Sequence, residues 1–218
     1  NTGDQSKYIS EFRKNAQFAA DLGIPSVRVD CVQPPTIVRE VGYETALSRV
    51  VNTWKECSEI AAGHGVNVTW EFEPGFAFNK PSDILRVHDG VNKPNFGYMY
   101  DTCHGQMVGV NGARQEGEKE TFPTQVDFIN SLSGRINHIH VIDSDNTCHK
   151  DANGDDETSA HPPFGLGVIN FDEVMPALVK ASRLPHDFWT IDLCFWPDAW
   201  QATADCKKRL DQLIAIYG

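Results

Sequence analysis

YMYDTCHG, Tyr98–Gly105, starts as a strand and then sets Asp101, Cys103 and His104 within four positions. The aromatic and apolar residues up to Tyr100 suit a pleated, buried strand. Asp101 is of a type that ends strands and caps helices. A carboxylate and an imidazole where a strand runs out admit two plain explanations, a turn former and a surface histidine. They also admit a chemical one, the start of a metal site. The neighbouring strands decide between them.

Successive side chains of a strand point to opposite faces, so parity sorts the candidates. In VNVTWEFEP (Val66–Pro74), Thr69, Glu71 and Glu73 share one face, and Val68, Trp70 and Phe72 the other. Glu73 stands last, directly before the proline. In NFGYMYD (Asn95–Asp101) Asp101 is last; in INHIHVID (Ile136–Asp143) His138 and His140 share a face; in FWTIDLCF (Phe188–Phe195) Asp192 shares a face with Thr190 near the end. Four consecutive strands each offer a carboxylate or an imidazole at the same end. Three oxygens and one nitrogen suit Mn²⁺ or Mg²⁺, with Co²⁺ possible, better than the nitrogen- and sulfur-rich sites of zinc. The expected ligands are Glu73, Asp101, His140 and Asp192. Glu71 falls one layer below Glu73, where an inward carboxylate needs a partner such as Arg28 or a histidine. Cys103 and Cys194 read as small buried fillers ahead of soft extra ligands, and His149 and His161 as solvated loop residues ahead of substrate contacts.

Around these strands the sequence alternates helical and extended patterns. Tyr8, Phe12, Ala16, Ala19 and Leu22 form one stripe, closed by Gly23. A second and clearer stripe joins Leu47, Val50, Val51, Trp54, Cys57, Ile60 and Ala61 before Gly63 and Gly65. Ser26–Asp30 reads as a short strand, Ser82 as a helix cap and residues 123–132 as a weak helix. Residues 144–160 read as a long polar loop. Asn170 caps a helix with Glu173 at the third helical position, and an amphipathic helix closes the chain. Five strands with helices between them imply a parallel α/β sheet. No G-x-G-x-x-G or P-loop supports an open nucleotide-binding sheet. Ligands at the ends of several strands are what a (β/α)8 TIM barrel uses. A full barrel takes about 250 residues and eight strands, so residues 1–218 are expected to form a single, partial barrel domain of about five βα units. The missing strands would lie upstream of Asn1.

Composition narrows the partners. The chain has 218 residues, 40% hydrophobic, with 30 acidic residues against 19 basic ones and a net charge of −11. A phosphate backbone would be repelled, so nucleic acid is not an expected partner. No apolar run approaches the roughly 20 residues of a membrane span. Six cysteines without a C-x-x-C pair read as reduced thiols in a cytoplasmic protein.

The motifs EPG at Glu73, DTCHG at Asp101 and His104, HIHVID around His140, TIDL at Asp192 and PFGLGVINFDEV together resemble the xylose-isomerase-like barrel family of sugar-phosphate isomerases and epimerases. The resemblance implies that Glu73, Asp101, His140 and Asp192 bind one divalent metal, often Mn²⁺. It also implies that His104 faces the substrate, with His138 nearby, and that Glu73 and Asp192 serve as a pair of bases. The implied reaction is isomerisation or epimerisation of a small sugar or polyol carbonyl, through proton abstraction and a metal-stabilised enediolate. Two departures stand out. Asp192 occupies a place where the epimerases commonly have the longer Glu, and NTCHK (Asn146–Lys150) lacks the arginine those enzymes place after H-x-H. They motivate a lyase or dehydratase alternative, C-glycoside cleavage included. A non-catalytic partial-barrel subunit is the alternative of another class. Open sheet edges imply a homo-oligomer or a partner chain that completes the barrel.

Overall fold

The computed structural model describes residues 3–186 and 188–218; Asn1, Thr2 and Asp187 lie outside the described residues. Helix α1 (Ser6–Asp21) buries Phe12, Ala16 and Ala19, the i, i+4, i+7 stripe of an amphipathic helix. It leads through Gly23 at φ +70° into β1 (Ser26–Val29). A short α2 (Ile37–Val41) precedes α3 (Tyr43–Ala62), which buries Val51, Trp54, Cys57, Ser58 and Ala61. Then come β2 (Asn67–Glu71), α4 (Pro81–Val91), β3 (Phe96–Asp101), α5 (Thr102–Gly109), α6 (Gln125–Ser131) and β4 (Ile136–His140). The chain finishes with β5 (Cys148–Lys150), β6 (Asp156–Ser159), α7 (Phe171–Ala181) and α8 (Ala199–Tyr217).

Strands β1–β2–β3–β4 form a parallel sheet in chain order. Such a sheet needs cover on its faces, and the alternation supplies it. Trp70, Phe72, Tyr98, Tyr100, Phe96, Ile136 and Ile139 pack with the helices in the main core. Rings interlock there at ordinary distances, Trp54–Trp70 at 5.1 Å and Phe72–Phe128 at 5.7 Å, contacts worth about 0.5–1.5 kcal/mol each beyond burial. The other face carries Arg28, Thr69, Glu71, Met99, Asp101, His138 and His140. A bulge opposite Tyr98/Met99 leaves Asn137 as the extra residue of β4 and returns His138 and His140 to that inner face. Asn137 crosses over Gly97 to donate to the Val68 carbonyl at 3.1 Å. A Cβ at Gly97 would stand 2.6 Å from the Asn137 side chain, so only glycine admits the crossing.

Three sequence expectations change. FWTIDLCF does not form a regular fifth strand; among the described residues it meets β4 in an isolated parallel bridge at Thr190, and a second bridge falls upstream at Ser182. Its carbonyl and amide at Thr190 still bond Val141 and Ile139, so Asp192 is delivered beside His140 as a strand would deliver it. The polar stretch 144–160 is not all loop, because β5 and β6 pair antiparallel within it. Helix α4 begins at Pro81 rather than behind a Ser82 cap, and the Ser82 hydroxyl bonds Glu120 instead. All six cysteines are unpaired, and no helix among the described residues is long and apolar enough to cross a membrane.

Candidate metal centre at the strand ends

Asp101 ends β3 and is also the N-cap of α5, its Oδ1 accepting the His104 backbone N–H at 2.8 Å. One residue thus turns the chain and is held by it. Its Oδ2 is buried and has no hydrogen-bond partner. Asp192 repeats the arrangement: Oδ1 accepts the Cys194 amide at 2.9 Å, which leaves Oδ2 toward His140. Glu71 does so with a side chain, since Arg28 Nη1 lies 2.5 Å from Oε2 and Oε1 is left toward His140. Each carboxylate is tied by one oxygen and presents the other.

Those presented oxygens converge. His140 Nδ1 lies 3.2 Å from Glu71 Oε1, 3.4 Å from Asp192 Oδ2 and 3.8 Å from Asp101 Oδ2, and Nδ1 itself makes no hydrogen bond. Glu71, Asp101, His140 and Asp192 therefore offer four ligand atoms that all lie within 4.8 Å of one another. Burying so many unpaired polar atoms is costly without a compensating partner. Separations of 3–4 Å are those of atoms arranged around one ion at about 2.0–2.3 Å. The donor set, three carboxylate oxygens and one imidazole, fits a hard to borderline divalent cation.

These groups perturb one another. Burial opposes charge on His140, yet the carboxylates of Asp192, Glu71 and Asp101 beside it raise its pKa to about 10. Burial lifts Glu71 above the usual carboxylate range, against the pull of His140 and Arg28. Burial also works against Asp101 and Asp192, but the histidines beside each hold both carboxyls below their ordinary values.

Glu73, expected among the ligands, stands outside this group, which Glu71 enters instead; Glu73 belongs with Glu71 and His104 to a second cluster of possible ligand atoms. β2 leaves the sheet at Glu71. Glu73 lies beyond the last paired residue and turns toward the β5–β6 hairpin, where Thr158 Oγ1 donates to Oε2 at 2.7 Å and Arg28 Nη2 to Oε1 at 3.1 Å. His104 Nε2 is 3.8 Å away, and its Nδ1 meets Ser159 Oγ at 2.9 Å. Burial raises the Glu73 pKa to about 7 and lowers that of His104 to about 3. His138, expected near substrate, has both ring nitrogens engaged, by His186 at 2.9 Å and Thr190 Oγ1 at 3.0 Å. His161, read as solvated, is 1% exposed and sits 3.6 Å from Asp101 Oδ1. His149 bonds the Cys194 carbonyl at 3.2 Å. The prolines at 162 and 163 following His161 are the one local feature that could have flagged a fixed rather than a floppy segment.

A family model described as "Xylose isomerase-like TIM barrel" matches residues 1–206. The chain belongs to that family. Among solved structures, this xylose isomerase-like barrel is similar to the IOLI protein with a bound zinc atom, at 21% identity and TM-score 0.74, covering 100% of this chain and 73% of that one. It is similar to a D-tagatose 3-epimerase-like protein at 19% identity and TM-score 0.70, covering 96% and 69%. It is also similar to the probable 3-DHS dehydratase AsbF of Bacillus anthracis at 18% identity and TM-score 0.68, covering 96% and 71%. At these identities the likeness is one of fold. A comparison with curated proteins returned no match. Its strand ends carry the site in the place where barrel enzymes keep theirs.

Proposed function

We propose that this chain supplies the catalytic centre of a divalent-metal-dependent isomerase or epimerase acting on a sugar or polyol carbonyl. The convergence of Glu71, Asp101, His140 and Asp192 on one point carries the reading. Mn²⁺ is the ion favoured by the oxygen-rich set, with Mg²⁺ or Co²⁺ as substitutes. An ion so held would polarise a substrate carbonyl and acidify the C–H beside it.

The protein's own residues then divide the proton work. Glu73, with a pKa near 7, is matched to neutral pH as a general base. Arg28 and Thr158 hold its two oxygens and so fix its direction. His104, neutral in its buried setting, is oriented by Ser159 and sits within reach of the same substrate edge. Asp192, whose second oxygen is tied to its own loop, is the group left for the opposite face. Support for the class comes from relatives named as epimerases.

One observation favours a lyase or dehydratase as the second reading. Glu73 and His104 are 3.8 Å apart on one side of the site. An elimination uses a base and an acid on neighbouring atoms, whereas epimerisation needs groups on both faces. The shorter Asp192 points the same way.

Elemental analysis of the dialysed protein beside Asp101→Asn tests the metal. About one Mn, Mg or Co per chain, lost in a folded variant, is the expected result. A native protein that carries no ion and takes up no Mn²⁺ overturns it. Product analysis in D₂O then separates exchange at carbon, expected of an isomerase or epimerase, from net loss of water or another leaving group.

A further inference from the structure

We infer that the site takes an uncharged polyhydroxylated carbonyl compound and discriminates against phosphorylated and carboxylated relatives of similar shape. The inference rests on the metal-dependent reading above. It is drawn from what has become of every group in the neighbourhood that could receive an anion.

The first is Arg28, the guanidinium on the inner face at the strand ends. Its Nε bonds Asp30 at 2.9 Å, Nη1 lies 2.5 Å from Glu71 and Nη2 donates to Glu73 at 3.1 Å. Three carboxylates share its fork, so its positive charge is already more than matched. The second is the loop after β4. Barrels that bind phosphate present backbone amides and a helix N-terminus from their late loops. Here those amides are already filled. Buried Asp143 accepts Gly165 N at 2.9 Å and Gly167 N at 3.2 Å through Oδ2, and Ser144 N at 2.9 Å and Ile169 N at 3.1 Å through Oδ1. The third is the N-terminus of α7, which is capped by the Asn170 side chain and carries Asp172 and Glu173 in its first turn. The basic residues that touch the β5–β6 hairpin are also engaged, Arg114 by the Glu157 carbonyl and Lys150 by Asp156.

What the site offers instead is acceptors. Asp30, Glu71 and Glu73 share one guanidinium, and Asp101 and Asp192 lie beyond them against His140 and His161. Five carboxylates face one guanidinium and the imidazoles of His104, His140 and His161. A polyol brings hydroxyl donors to such a wall. A phosphate ester or carboxylate brings only acceptors and like charge. A negative charge brought to about 6 Å from one such carboxylate, in a medium of effective dielectric about 20, is disfavoured by roughly tenfold to hundredfold.

The test uses the full chain loaded with Mn²⁺ at pH 8 and reads the water-proton relaxation of the bound ion. D-fructose is titrated against D-fructose 6-phosphate, and D-glucose against D-glucuronate, at low and high salt. We expect the neutral member of each pair to bind at least tenfold more tightly, with the gap narrowing as salt screens the repulsion. A charged member that binds as tightly or more tightly overturns the inference, and so does a pair in which neither member moves the ion's relaxation. Failure to take up Mn²⁺ at all registers before any sugar is added; it overturns the metal reading and the inference with it.

Discussion

Glu71 and Glu73 differ by two positions and share strand parity, but only Glu71 lies within β2, and the two are proposed to do different work. Parity is legible in the sequence because it follows from the pleat. Depth is not, because it depends on where the strand leaves the sheet and on which neighbour takes each oxygen. Arg28 reaches both residues, yet only Glu71 keeps an oxygen directed at His140. Glu71→Gln should therefore weaken Mn²⁺ binding by more than the roughly 10–100-fold that loss of an outer partner costs. Glu73→Gln should leave Mn²⁺ affinity within a few-fold while turnover falls by about 10²–10⁴. Calorimetric titration of both variants checks the division, and equal losses of affinity would refute it. His88 makes a second residue-scale case, remote from the site. Burial against Phe96 and Tyr98, with Arg135 and Arg183 nearby, depresses its pKa to about 4. The unfolded chain, with an ordinary histidine, binds the proton first as pH falls below about 6.5. Its contribution to stability is thus complete above that pH and is lost between about 6.5 and 4. Urea midpoints at pH 7.5 and 5 should drop further in the wild type than in His88→Phe.

At the scale of elements, α5 and the β5–β6 hairpin carry the inner wall. Helix α5 is legible only as the end of YMYDTCHG, since its eight residues include two glycines and no polar stripe. The structure shows why those glycines are there. A Cβ on Gly105 would come within 2.2 Å of the Tyr100 hydroxyl, and one on Gly109 within 2.2 Å of the Phe128 ring. Close seating of this helix holds His104 at the strand ends. Gly109→Ala should cost about 1–3 kcal/mol, the usual penalty of overpacking a filled core, and thermal unfolding of the folded variant measures it. A gain in stability would show that α5 shifts freely. The hairpin escapes a sequence reading for the opposite reason. Asp151, Asn153 and Gly154 make its tip look like solvent-facing loop. Thr158, Ser159 and His161, which touch Glu73, His104 and Asp101, are types that announce nothing by themselves.

For the whole molecule, alternation of strand and helix is enough to read a parallel α/β sheet, because such a sheet must be covered by what connects its strands; the barrel is read only once ligands at several strand ends are added. The last strand is harder to read: FWTIDLCF has the composition of a strand but pairs at a single point, its delivery of Asp192 depending on two backbone bonds to β4. Concentrating carboxylates at one end of a chain of net charge −11 opposes folding through self-repulsion. A bound cation relieves it. Mn²⁺ at about one hundred times its dissociation constant should raise stability by about 2.7 kcal/mol, visible as a higher Tm that a chelator reverses and that Asp101→Asn abolishes. An unchanged Tm would separate the site from the folding energetics.

The internal carboxylate of Asp143 also bears on motion. Leu166 and Val168 are 61% and 58% exposed, which by side chain alone marks a segment free to breathe. Yet the amides of Gly165, Gly167 and Ile169 all end on one buried anion, and that anion cannot be released without stranding a charge in the interior. In deuterium exchange this outward-looking loop should keep its amide protons about as long as the edge of the sheet does, so that the rim of the site behaves as rigid masonry rather than as a lid.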